Sequence, residues 1–78
     1  MLILENLCND YLEPKQWIRI FREDNDDCKA IYEGTVEELQ DNKFHRFYNK
    51  IKQQAIYTLQ TEDNTMEIYI DGEGIDRW

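Results

Sequence analysis

The chain is poor in the residues that most enzymatic and ligand-binding motifs require. Its 78 residues include three glycines, one proline, two cysteines, one histidine and no serine. So little glycine and proline excludes a collagen-like or linker-like chain, and a chain without serine has no serine nucleophile. It also has no glycine-rich phosphate-binding loop, so we expect no nucleotide binding.

Long apolar runs are missing as well. The longest, Met1–Leu4, is far shorter than the ~20 residues that a membrane span requires. Glu5 and Asp10 follow it closely, which predicts that the N-terminus is not a signal peptide. Hydrophobic residues still make up 41% of the chain, enough for a single folded domain over residues 1–78.

Acidic side chains outnumber basic ones by 17 to nine, which gives a formal net charge of −8. Binding to a phosphate backbone depends on Lys and Arg, so we expect no direct contact with nucleic acid. The charge is uneven, because Lys43, Arg46, Lys50 and Lys52 lie in a stretch without an acid. The five basic and 17 acidic residues elsewhere give a formal charge of −12. This field either serves solubility alone or steers the protein towards a basic partner.

Three of these basic residues, Lys43, Arg46 and Lys50, follow one face of a predicted helix, next to Phe47 and Tyr48. Spacings of three and four residues place side chains next to one another on a helix. The row is therefore either a contact for a small anion or RNA, or a solvated stripe that balances nearby acids.

Neither the cysteines nor the acidic residues form a metal-binding motif. Cys8 and Cys28 lie 20 residues apart, unlike a C-x-x-C pair or a disulfide scaffold, and suit the reducing cytoplasm. With His45 they supply three of the about four ligands of a structural zinc site. The acidic turn over residues 24–27 is not followed by the glycine and glutamate of a calcium loop. We therefore expect no metal, no cofactor and, without a nucleophile beside a base, no catalysis.

The first half of the chain predicts one helix and one hairpin. Leucines at spacings near three to four predict a helix over residues 2–12, which Pro14 ends. Alternation of side chains predicts a strand over residues 16–23. The acidic turn over residues 24–27 then joins it to a second strand at residues 30–33.

The second half repeats this order. Thr35, followed three residues later by Glu38, predicts a capping box in which each side chain accepts a hydrogen bond from a main-chain N–H. Apolar spacing then predicts helix as far as Ile51, and whether this is one bent helix or two stays open. Strands over residues 55–61 and 65–71 form the closing hairpin.

The predicted order is α-β-β-α-β-β, an α+β fold in which two hairpins form a small antiparallel sheet with helices on one face. An irregular tail follows at residues 72–78. A core of this size supplies only ~3 to 5 kcal/mol. Aromatic side chains on the outer face of the sheet would mark an interface, unless the tail and a neighbouring helix bury them. The candidates are Trp17, Phe21, Tyr57 and Tyr69.

The segment Ile31–Leu39, with the sequence IYEGTVEEL, resembles a group of small acidic proteins encoded by phages and mobile elements of Gram-positive bacteria. Those proteins have a leucine-rich helix, a proline turn, a strand, an aspartate-rich turn, a YEG strand end, a capped helix and a closing hairpin. This chain has the same order, with a longer basic segment at Lys43–Lys52. The resemblance implies an accessory or counter-defence protein, such as an anti-CRISPR protein that binds a host nuclease, in some cases by imitating the charge of DNA.

We therefore expect a non-enzymatic protein-binding module in the cytoplasm of a bacterial host. It would be an inhibitor of the anti-CRISPR or DNA-mimic type that presents acidic side chains to a basic nucleic-acid-binding protein. The residues predicted to contact the partner are Glu23, Asp24, Asp26, Asp27, Glu37, Glu38 and Asp41. The alternative is a structural or regulatory homo-oligomer that associates through the four candidate aromatic residues of the sheet.

Overall fold

The computed structural model describes residues 2–22 and 30–71. Its elements, in chain order, are α1 (Leu4–Asn6), a π-helical segment (Leu7–Tyr11), β1 (Trp17–Arg22), β2 (Tyr32–Thr35), α2 (Val36–Leu39), a 3₁₀ turn (Asn42–Phe44), α3 (His45–Ile51), β3 (Ile56–Glu62) and β4 (Thr65–Ile70). The α+β class and the predicted order of the elements are confirmed. The acidic turn, Cys28 and the C-terminal tail lie outside the described residues.

The four strands form one sheet in the order β2-β1-β4-β3. Both predicted hairpins are antiparallel, but β1 and β4 run parallel where the hairpins meet, so the sheet is mixed rather than wholly antiparallel. The helical connection between β2 and β3 explains this difference. It returns the chain to the end of the sheet where β2 starts, so β3 runs in the direction of β2 and β4 in the direction of β1.

The helices cover one face of the sheet, and the core lies between the two layers. Ile18 and Ile20 of β1 and Ile68 and Ile70 of β4 are fully buried there, as their alternation with polar side chains predicts. The helical side contributes Leu4, Leu7, Cys8, Val36, Leu39 and Ile51. Full burial of one such aliphatic side chain stabilises a fold by about 1.5 to 3 kcal/mol, so this layer holds the helices on the sheet.

The predicted N-terminal helix begins at Leu4 and widens after one turn. The N–H of Leu12 donates to the carbonyl of Leu7 at 3.1 Å, a bond across five residues that is typical of a π-helix. Leu7 is buried, whereas Tyr11 is exposed. The helical bonds end before Pro14, as expected. Within the described ranges, no helix is both long and apolar enough to cross a membrane.

The residues before α1 cover part of the outer edge of β3. The N–H of Ile56 donates to the carbonyl of Leu2 at 3.0 Å, and Ile3 forms an isolated bridge with Ala55. A register shift follows at Tyr57. The N-terminal segment therefore supplies main-chain partners to the start of an outer strand.

Two helical segments, rather than one bent helix, connect the hairpins. The first ends at Leu39, and Asp41 then adopts an extended backbone with φ −74° and ψ 158°. Its carboxylate accepts a hydrogen bond from the N–H of Asn42 at 2.6 Å. The aspartate thus caps the 3₁₀ turn that leads into α3. Its extended backbone separates this turn from α2.

The predicted capping box at the start of α2 forms in part. Thr35 Oγ1 accepts a hydrogen bond from the N–H of Glu38 at 3.3 Å, as expected. The Glu38 carboxylate, however, accepts from the Thr35 hydroxyl at 3.2 Å rather than from a main-chain N–H. Thr35 is also the last residue of β2, where it pairs with Trp17, so its main chain already belongs to the sheet.

In the YEG segment, the Tyr32 side chain packs across Gly34, and this packing explains the glycine. The Tyr32 side chain is buried, and its hydroxyl donates to the carbonyl of Thr35 at 2.8 Å. A Cβ atom added to Gly34 would lie 2.6 Å from that hydroxyl oxygen, closer than real Cβ contacts. Glycine therefore leaves room for the tyrosine ring, and the ring bonds to the strand end from which α2 begins.

We expect Gly34→Ala to lower the free energy of unfolding by about 1 to 3 kcal/mol, because the added methyl group displaces the Tyr32 hydroxyl from Thr35. Urea denaturation followed by circular dichroism measures this change. Tyr32→Phe serves as the control, since it removes the oxygen that the methyl group would meet. Gly34→Ala should cost less in the Tyr32→Phe variant than in the parent protein, and equal costs would contradict the explanation.

The buried Cys8 thiol predicts a loss of stability at alkaline pH. Burial raises the pKa of this thiol from 9.0 to about 11, so the folded protein keeps a proton that the unfolded chain has already lost. The free energy of unfolding should therefore fall as the pH rises from about 9 towards about 11. Urea denaturation at neutral and alkaline pH should show a smaller decline for Cys8→Ala than for the parent protein. The same decline in both would contradict this role of the thiol.

Candidate functional site

The face of the sheet opposite the helices carries a row of polar side chains that crosses all four strands. The register places Glu33 of β2 beside Arg19 of β1, and Arg19 beside Glu67 of β4. Gln60 of β3 lies on the far side of Glu67. We call these four residues the polar row and the surface they lie on the helix-free face. Side chains two positions away on each strand share this face.

Ion pairs and a hydrogen bond link the members of the polar row. Arg19 Nη1 lies 3.6 Å from Glu67 Oε2, and Arg19 Nε lies 4.0 Å from Glu33 Oε1. Gln60 Nε2 donates to Glu67 Oε1 at 3.0 Å. Glu67 is only 8% exposed, so its carboxylate is stabilised by these two partners rather than by water.

One hydrogen-bond donor of the Arg19 guanidinium has no acceptor among the described residues. Its Nε atom is buried and has no hydrogen-bond partner, because the Glu33 carboxylate lies too far away for a hydrogen bond. The side chain as a whole is 39% exposed. The Arg19 side chain therefore reaches the surface of the helix-free face, although its Nε atom is buried.

Aromatic side chains flank the polar row on both sides. Trp17 lies on one side of the row along β1 and is 45% exposed. Phe21 lies on the other side, and its ring stacks on that of Tyr69 with centroids 4.8 Å apart. Glu62 pairs in register with Thr65, which lies beside Trp17, so a third carboxylate belongs to the same face. The face thus combines carboxylates, a guanidinium and aromatic rings.

The structure brings together three of the four predicted aromatic residues. Trp17, Phe21 and Tyr69 share the helix-free face, although Phe21 is nearly buried and adds little exposed area. Tyr57 is separated from them, because it stands at the register shift of β3, and it is 60% exposed. An extra residue in a strand breaks the alternation on which the sequence pattern depends.

Three of the seven predicted acidic contact residues belong to the described part of the chain. Glu37 and Glu38 are exposed on α2, and Asp41 follows that helix. Glu38 and Asp41 also accept hydrogen bonds at helix ends. The other four are Glu23, Asp24, Asp26 and Asp27. These lie outside the described residues, so their clustering with α2 stays a prediction.

The side chains of the helix-free face suit recognition of a partner. The described residues contain no group of three or more His, Cys, Asp or Glu side chains placed to hold a metal ion. His45 is exposed on α3, and its Nε2 shares a hydrogen bond with Asn49 Nδ2 at 3.1 Å. The helix-free face itself offers charge, hydrogen-bonding groups and aromatic surface.

The polar row is hardly visible in the sequence pattern. Arg19 and Glu67 lie on the polar sides of two predicted strands, and this alternation is the one local signal. Their pairing depends on the parallel contact between β1 and β4, and no residue near either one specifies that contact.

Glu67→Ala should lower the free energy of unfolding by about 1 to 3 kcal/mol, because it removes the ion-pair partner of Arg19 Nη1 and leaves the Gln60 amide with only the longer, 3.5 Å hydrogen bond to the Tyr69 hydroxyl. Glu33→Ala is the matched control. This carboxylate is 57% exposed and 4.0 Å from Arg19, so its loss should cost less than about 1 kcal/mol. Urea denaturation of both variants decides the matter, and similar costs would contradict a central role for Glu67.

Comparison with known proteins gives no family assignment. A scan against protein-family models found no match, and searches of the curated proteins and of the solved structures found none either. The resemblance carried by Ile31–Leu39 therefore stays a prediction.

Proposed function

We propose that this protein is a non-enzymatic protein-binding module that receives a basic partner on its helix-free face. One observation supports the proposal above all: Trp17, Arg19 and Tyr69 lie together with carboxylates on one side of a four-stranded sheet. Trp, Tyr and Arg are the residue types that contribute most often to binding hot spots. A sheet also holds its side chains in place, so less freedom is lost when a partner binds.

The charge of the protein favours a basic partner. Three carboxylates, those of Glu33, Glu62 and Glu67, share the face with the guanidinium of Arg19, and the whole chain has a formal charge of −8. A surface rich in Lys and Arg would complement this charge and associate faster at low salt. Such surfaces are typical of proteins that bind nucleic acid, so the proposed partner belongs to that class.

The resemblance to small acidic phage proteins adds a biological setting. In that setting the protein acts in the cytoplasm of a bacterial host, as an inhibitor of the anti-CRISPR or DNA-mimic type that occupies the basic groove of a host nuclease. Glu37, Glu38 and Asp41 are exposed and add negative charge outside the helix-free face. The assignment of the contact to Glu23, Asp24, Asp26, Asp27, Glu37, Glu38 and Asp41 stays a prediction beside this proposal.

The alternative is a homo-oligomer in which the helix-free faces of two copies meet. Trp17 and Tyr69 support it, since aromatic side chains also stabilise contacts between copies. The charge opposes it, because each copy carries −8 and the carboxylates of one face would lie against those of the other. The carboxylates of the face would attract a basic partner, whereas they would repel a second copy.

The test begins with capture of proteins from a Gram-positive bacterial lysate at low salt, elution at high salt and mass spectrometry. The captured protein is then purified, and its Kd is measured for the parent protein and for variants. Trp17→Ala should weaken binding by about tenfold or more, because it removes the exposed aromatic ring beside the polar row. Tyr11→Ala is the matched control: Tyr11 is 71% exposed but belongs to the helical side, and its loss should leave the Kd unchanged.

Several results would count against the proposal. Binding that is the same for Trp17→Ala and Tyr11→Ala, or that does not weaken with salt, would exclude the helix-free face as the contact. A dimer that sediments as such and dissociates in Trp17→Ala would favour the homo-oligomer. Binding that survives Trp17→Ala but is lost when Asp24, Asp26 and Asp27 are replaced together by alanine would move the contact to the acidic turn.

A further inference from the structure

A second charged surface lies on the helical side of the sheet. The 3₁₀ turn and α3 form a hollow of about 540 Å³. Its lining combines three cationic side chains, Lys43, Arg46 and Lys50, with the rings of Phe44 and Phe47. The volume falls within the about 300 to 1,000 Å³ that is typical of sites for small molecules. We call it the basic hollow.

Within the described residues, no ion pair neutralises the cations of the basic hollow. The ion pairs within the described ranges involve other side chains, and none includes Lys43, Arg46 or Lys50. The sequence over residues 42–61 contains no acid. The nearest preceding acid is Asp41, whose carboxylate accepts a hydrogen bond from the N–H of Asn42. Like charges at the spacings of Lys43, Arg46 and Lys50 destabilise a helix. An anion bound between them would remove the repulsion.

Contacts with the buried Tyr32 ring hold the aromatic rings of the hollow in place. Phe44 meets Tyr32 edge to face with ring centroids 5.5 Å apart, and Phe47 lies 6.2 Å from the same ring. Tyr32 is buried and belongs to the core, so it limits the movement of both rings. Lys43 Nζ lies 5.6 Å from the centre of the Phe44 ring. A positive charge and an apolar surface are thus held next to each other.

We infer that the basic hollow binds a phosphate group carried on a flat ring, with the size of a mononucleotide. A phosphate monoester has a charge of about −1.5 to −2 at neutral pH and three acceptor oxygens, which match guanidinium and ammonium donors. The ring would lie against Phe44 and Phe47, since bases stack on aromatic side chains. The formal −12 outside the Lys43–Lys52 segment disfavours a longer nucleic acid.

This inference differs from the expectation that so glycine-poor a chain binds no nucleotide, and titration with a nucleotide tests both. Glycine-rich loops hold phosphates through main-chain N–H groups, whereas in the basic hollow the donors are side chains. The inference is also independent of the proposed function. α3 packs into the core through Ile51 on the helical side, so the basic hollow and the helix-free face lie on opposite sides of the sheet.

The test is a titration of the ¹⁵N-labelled full chain with adenosine 5′-monophosphate at low salt, followed by NMR. Amide signals of residues 42–50 should shift and saturate. Adenosine lacks the phosphate and ribose 5-phosphate lacks the base, so each should bind about tenfold or more weakly than the nucleotide. Signals that do not move, or shifts that centre elsewhere on the chain, would overturn the inference.

Charge reversal locates the site. Arg46→Glu and Lys50→Glu, both at exposed positions, should each weaken nucleotide binding by about tenfold or more. Lys15→Glu is the matched control, because it makes the same change of charge at an exposed lysine outside the hollow. An equal loss with Lys15→Glu would show a general effect of charge and overturn the inference. Much tighter binding of a short single-stranded oligonucleotide than of the mononucleotide would overturn the proposed ligand size.

Discussion

The parallel contact between β1 and β4 is the constraint on which both sides of this molecule depend. Its register aligns Ile20 with Ile68 under the helices and Arg19 with Glu67 on the opposite face. Because side chains alternate along a strand, a shift of one residue would expose the isoleucines and move the ion pair into the core. The burial of aliphatic side chains therefore also fixes the geometry of the polar row. The geometry of this face thus depends on a core that contributes no atom to it.

The sheet separates two surfaces of opposite charge. Carboxylates dominate the helix-free face, while Lys43, Arg46 and Lys50 surround the basic hollow on the helical side. Each surface is anchored by a buried group: Glu67 holds Arg19 on one side, and Tyr32 supports the rings of the hollow on the other. A fold this small has a modest stability of its own. A ligand that binds the folded state at either surface adds to that stability by mass action.

Local signals in the sequence predict the local structure well. Alternation places Ile18 and Ile20 in the core, and Thr35 marks the start of a helix. Contacts between distant segments leave no such signal. The parallel strands β1 and β4 are separated in the chain by β2, the helical connection and β3, and no residue of either strand specifies its neighbour. For that reason the sequence does not predict the polar row. The basic hollow is predictable only in part. The spacing of Lys43, Arg46 and Lys50 can be read from the sequence. The concave surface cannot, because it depends on how Phe44 and Phe47 pack on the distant Tyr32.

Strand β3 is an outer strand of the sheet and has no charged residue from Ile56 to Thr61. Open edges of this kind recruit further strands and lead to aggregation. The N-terminal segment occupies the first part of the edge. The bulge at Tyr57 interrupts the regular pairing of β3 with β4. Beyond that point the mutual repulsion of molecules that each carry −8 opposes stacking of sheets edge to edge. Salt screens this repulsion, so the acidity that we propose attracts a basic partner also limits the ionic strength at which the protein stays dispersed.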